Sequence, residues 1–271
     1  MSLSACSTHR GVSHDGAVTF LCSIAKGRPN DADCHKNILF QFHAQNQEPE
    51  EDFHGVSIAD LKTGKTLQFL HLGFNPNFHN SSITVLENKR GVPLIYASEN
   101  YAPNDFYNII VYSLKREAGA FAIVPIRTIR MPDPERLGIH YPHAVPTKDG
   151  KHIWIEGYST DQKESVFLLF DMPAANDSVT QMAGPLSEFR LPKKEVTDQA
   201  YCVRGNLIYQ VVGVKGNSWL RIIDNRKGRL VQDVFLPDLG LDAEPEAVFF
   251  WKKRLCISFS DEGTKIYTID L

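Results

Sequence analysis

Five polar residues recur at one register of a repeating pattern: His9, His79, His143, Gln199 (with Asp198 beside it) and Glu246. Each precedes a run rich in apolar and β-branched residues, so each stands where a β-strand would begin. Neutral imidazoles with a carboxylate suit a divalent metal such as Zn or Ca, and three His with an open position is a catalytic-zinc donor set. The expected metal ligands are His79, His143 and Glu246. The same groups could serve as general acid and base. The alternative is that they line a water-filled channel, bonded only to backbone and solvent. Asn80 competes with His79 for its slot.

Two local stretches add candidates. In Asp242-Ala243-Glu244-Pro245-Glu246-Ala247, proline holds Glu244 extended, so Glu244 and Glu246 alternate around a rigid bend, as a ligand pair or as a charged linker. In His140-Tyr141-Pro142-His143, His143 is expected to face the site and His140 the solvent. Above these, residues 99–107 and 158–161 are aromatic and polar. They bring Tyr101 and Tyr158, in loops suited to contacting a sugar or peptide. No Gly-rich phosphate loop, Gly-x-Ser-x-Gly elbow, His-Glu-x-x-His or Cys-x-x-Cys occurs.

The elements that must position these residues follow from a second repeat. A short apolar run ending in Asp or Ser closes at Asp60, Ser113, Asp171, Asp224 and Asp270, at spacings of 53, 58, 53 and 46 residues. Before each lie two β-rich runs joined by a turn, such as Asp149-Gly150 or Arg204-Gly205-Asn206, where Gly and Asn supply positive φ. Four strands per repeat without a helical period select a β-propeller over a sandwich. The expectation is one all-β domain, residues 1–271, of five four-stranded antiparallel blades, near 9–72, 79–131, 143–191, 199–236 and 246–271. Residues 34–45 are read as an insertion in the first blade; counting them as extra strands gives six blades. The chain ends on a third strand, so the N-terminus must supply the fourth.

With 42% hydrophobic residues the chain can bury a large core, and a net charge of −3 leaves no electrostatic footprint for nucleic acid. No apolar run reaches the ~20 residues that cross a bilayer. The five cysteines are unpaired in spacing; Cys22, Cys202 and Cys256 sit in strand patterns as small hydrophobes. Leu3-Ser4-Ala5-Cys6 is similar to a bacterial lipobox, yet only two residues precede Leu3, which implies a trimmed exported protein or a chance match.

Glu244-Pro245-Glu246-Ala247 followed by Leu255-Cys256-Ile257-Ser258 resembles the closing blade of extracytoplasmic, YVTN-like propellers with a Glu-Pro-Glu-Gly motif, Ala247 standing where that motif has glycine. Five-bladed propellers of the glutaminyl-cyclotransferase type share the blade count. The resemblance implies the fold and carries over no catalytic residue. The expected function is an extracytoplasmic monomer, with or without a lipid anchor, binding a small molecule, glycan or peptide in its central funnel, with a cytoplasmic location as the alternative. A metal-dependent hydrolase, lyase or cyclotransferase and a protein-interaction scaffold are the other readings.

Overall fold

The computed structural model describes residues 18–24, 29–43, 55–71, 82–100, 107–175, 177–261 and 263–270. The first strand, β1 (Val18–Ile24), stands apart from the strands that follow it in sequence. Blade 1 is β2 (Asp31–His35), β3 (Ile38–His43), β4 (Gly55–Asp60) and β5 (Thr66–His71). Blade 2 is β6 (Ile83–Glu87), β7 (Pro93–Asn100), β8 (Tyr107–Glu117) and β9 (Ala120–Arg130). Blade 3 has β10 (Ile139–Pro146), β11 (His152–Ser159) and β12 (Glu164–Asp171); the chain then makes β13 (Val179–Gln181) before the blade's outer β14 (Ser187–Pro192). Blade 4 is β15 (Asp198–Arg204), β16 (Leu207–Val214), β17 (Asn217–Asp224) and β18 (Arg229–Phe235). Blade 5 is β19 (Glu244–Trp251), β20 (Arg254–Ser260) and β21 (Thr264–Ile269), completed by β1.

The first strands touch in cyclic order, β2 to β6 to β10 to β15 to β19 and back to β2, so the five sheets form a closed ring. One apolar cluster fills each of the five blade interfaces. The protein is a five-bladed β-propeller, as the repeat spacing implied.

The first blade is built differently from the sequence reading. Residues 34–45 are not an insertion: residues 31–43 supply the two inner strands of blade 1. The segment 18–24, read as part of that blade's first hairpin, instead pairs antiparallel with β21, from Val18↔Ile269 to Ile24↔Thr264. The cause is packing. Cys22 and Ile24 are buried beside Ala59 and Phe249 at the interface of blades 5 and 1. The fourth strand of the last blade thus comes from the N-terminal part of the chain, as closure demands. The Leu3–Cys6 stretch lies outside the described residues.

One further departure is β13, which pairs parallel with β9 and widens blade 2 to five strands. Arg127 secures the crossing chain by donating to the carbonyls of Pro173 (2.6 Å) and Ala174 (2.9 Å) and to Thr180 Oγ1. The described cysteines are free, with Cys22 and Cys256 buried as expected and Cys202 half-buried. Burial pushes the Cys22 thiol up to about 11 and Cys256 up to about 12, which keeps both protonated and unreactive.

Candidate functional site at the channel mouth

In a meander, the chain reaches each first strand on the same face as the loops joining second and third strands. The residues there derive from a shared irregularity. In blades 3, 4 and 5 the first strand carries a β-bulge: after His140 in β10, at Gln199 in β15 and at Glu246 in β19. Bulges of this kind re-aim side chains and concentrate near binding sites. In blade 3 the bulge is accommodated by Gly157, where an added Cβ would lie 2.8 Å from the His140 carbonyl oxygen. Tyr141 sits in it at φ 52°, a left-handed conformation rare for a bulky residue, with its side chain 52% exposed.

The first strand of blade 1 opens on Asp31, and in blade 2 Ser82 immediately precedes β6. Both stitch neighbouring blades together. Asp31 accepts from the backbone of Ala32 and Ile83, each at 2.8 Å, and Ser82 Oγ donates to Ala144 O at 2.7 Å. Burial raises the Asp31 carboxyl well above the usual carboxylate range. His9, His79, Asn80 and Tyr101 lie outside the described residues. Among the described residues, no three His, Cys, Asp or Glu side chains converge as a metal site.

The remaining candidates gather at blades 3 to 5. His143 is buried and His140 exposed, and burial pushes the His143 imidazole down to about 4. Its ring has no hydrogen-bond partner among the described residues. Cross-strand from it stands Glu156, buried and facing Asp198 of the next blade. Burial first, and then the Asp198 charge and hydrogen bond, raise the Glu156 carboxyl well above its ordinary range. Asp198 is raised by burial too, against the opposing pull of Glu156, Arg221 and Lys193. Two buried carboxyls at hydrogen-bond distance cannot both ionise, so the neutral Glu156 donates to Asp198. Asp198 Oδ1 meets no donor from any other described residue.

Around the pair, Ser165 Oγ donates to Asp198 Oδ2 (3.2 Å) and Gln210 Nε2 to Glu156 Oε1 (3.4 Å). Arg221 Nη1 donates to Gln210 Oε1 at 3.2 Å. Tyr158, half-buried, accepts the Asp198 backbone N–H at 3.0 Å, and Lys193 lies 4.4 Å over its ring. The exposed Tyr141 ring meets Tyr158 edge-on at 6.0 Å. Gln199 Nε2 bridges to blade 5 by donating to Glu244 Oε1 at 3.0 Å and to Gly213 O at 2.9 Å. Glu246 is half-buried at its bulge.

The structure therefore brings His143, Tyr158, Gln199, Glu244 and Glu246 to one face, and adds Tyr141 and the Glu156–Asp198 pair. The pair carried a readable signal: Glu156, Gln210 and Arg221 are isolated polar residues inside otherwise apolar strand runs.

Searched against known proteins, the chain matches no family model and no curated protein sequence. Solved structures are similar in fold. A Myxococcus xanthus glutaminyl cyclase aligns over 93% of this chain and 95% of its own at 9% identity, with a TM-score of 0.54. The β-propeller domain of Myceliophteria thermophila Cps50 (Swd1) aligns over 94% and 99% at 12% identity, TM-score 0.43. BamB from Moraxella catarrhalis aligns over 88% and 71% at 10% identity, TM-score 0.37. At such identities the likeness is one of fold, and that fold serves unrelated functions.

Proposed function

We propose that the protein binds a small molecule, glycan or short peptide at the channel mouth over blades 3 to 5. The observation that carries this reading is Tyr141. A tyrosine held at φ 52° with half its surface in solvent is a strained arrangement that folding does not need. It stands in a bulge repeated in the two following blades, edge-on to Tyr158. An exposed ring offers a stacking face for a sugar or side chain. Lys193 over the neighbouring Tyr158 ring, and the Gln199–Glu244 pair of the next two blades, supply ammonium, amide and carboxylate groups to fix orientation.

Ligand-observed NMR with a panel of oligosaccharides and short peptides tests it. A ligand detected with the wild-type chain should lose most of its saturation transfer with Tyr141→Ala. Equal transfer from both chains overturns the proposed site. Tyr141→Gly provides a second arm: relief of about 1–2 kcal/mol of left-handed strain is largely offset by about 0.4–1 kcal/mol of added unfolded-chain entropy, so stability should be nearly unchanged while binding is still lost.

A further inference from the structure

The opposite face carries a concavity, independent of the mouth. It lies between blades 3 and 4, walled by the turns at residues 147–152, 204–206 and 225–228, and encloses about 830 Å³. That volume falls within the range of small-molecule sites. Its floor is aromatic and aliphatic: Trp154, Phe189, Leu169 and Val203. Phe189 is held rigidly there, stacked on Phe167 at 4.9 Å and edge-on to Trp154 at 5.7 Å.

The rim is cationic. Lys148, Arg204, Arg226 and Lys227 line it against the carboxylates of Asp149 and Glu188, in a protein whose net charge is −3. Those two carboxylates are already engaged: Asp149 accepts from Thr147 Oγ1 and the Lys151 N–H, and Glu188 pairs with Arg190 at 2.7 Å. Lys148 is matched by Asp33, and Lys227 lies 3.9 Å from Asp224. Arg204 donates to a carbonyl, Lys253 O, and rests on the Phe250 ring. The Arg226 guanidinium has no hydrogen bond or ion pair among the described residues. Two arginine charges at the rim are therefore met by no carboxylate.

We propose that this groove is a binding site for a small aromatic anion, its ring laid over Phe189 and Trp154 and its anionic group taken by Arg226 with Lys227 and Arg204. A planar guanidinium presents paired donors that match carboxylate, sulfonate or phosphate oxygens.

The test uses a matched pair of probes: 8-anilinonaphthalene-1-sulfonate, and the uncharged N-phenyl-1-naphthylamine with the same ring system. Fluorescence titration of the full chain should show one saturable sulfonate site and at least tenfold weaker binding of the uncharged probe. The double variant Arg226→Glu/Lys227→Glu, on an exposed turn and checked for an unchanged melting profile, should weaken sulfonate binding at least tenfold. Lys163→Glu, a charge reversal on the other face, should leave it unchanged. The proposal is overturned by wild-type affinity in the double variant, by an equal loss in Lys163→Glu, or by equal affinity for the two probes. Because Tyr141 plays no part in it, this outcome is separate from that of the mouth.

Discussion

Glu156 and His143 are cross-strand neighbours whose protons obey opposite rules. The Glu156 carboxyl is raised, so the folded chain keeps a proton that the unfolded chain gives up near pH 4.3. Its stabilising contribution is complete below that pH and is lost as pH rises toward the folded value. His143 is pushed from 6.5 to about 4. Its contribution is present above pH 6.5 and lost as pH falls toward 4, about 3 kcal/mol over the full shift. Comparing Glu156→Gln with wild type isolates the first effect, because His143 is common to both. The variant should gain stability relative to wild type between pH 5 and pH 8, measured by urea unfolding. A difference that stays flat with pH would show that Glu156 is not the group holding the proton. None of this was written in the sequence beyond an acidic residue in an apolar strand, since the proton depends on Asp198 arriving from another blade.

At the scale of strands, turns were the most legible feature. Asp149-Gly150 and Arg204-Gly205-Asn206 turn where expected, and in blade 5 Lys252 and Lys253 take the two positive φ values, 47° and 71°, of a tight hairpin. Periodicity within residues 18–24 showed a strand but not its partner. Only the burial of Cys22 and Ile24 against blade 1, after pairing with β21, decides that β1 closes the ring. Strand β13 was invisible for a related reason: three residues carry no period, and an arginine from another blade holds them. Closure through β1 makes a specific forecast. Ile24→Ala removes a fully buried side chain from the interface of blades 5 and 1, and should cost about 2–5 kcal/mol in urea unfolding. A loss below 1 kcal/mol would mean that β1 contributes little to the ring.

For the whole molecule, the mouth was half legible. The bulges show that these three blades share a local geometry, but Gln199 and Glu246 are the bulge residues of β15 and β19, whereas His143 follows its bulge and takes the place that Ala200 and Ala247 take in the next two blades. Which residues occupy blades 1 and 2 at that level depended on where blade 1 begins, and the strand that begins it carries Asp31. The opposite face was not legible at all. Its groove is made from turns of two blades whose sequences share no motif, and only the packing of Trp154 against Phe189 reveals it.

At that same end, Lys148 reaches out of blade 3 to bond Asp33 Oδ2 of blade 1 at 2.5 Å and the Val85 carbonyl of blade 2 at 3.1 Å. One ammonium thus ties three of five blades like a drawstring. Loss of that tie should loosen the ring first at blades 1 and 2, on the side away from the bulges. Lys148→Met cuts the string and strands the Asp33 carboxylate, and amide exchange should rise in β2 and β6 before it rises in β15 or β19. Uniform acceleration around the ring would show that no such drawstring operates.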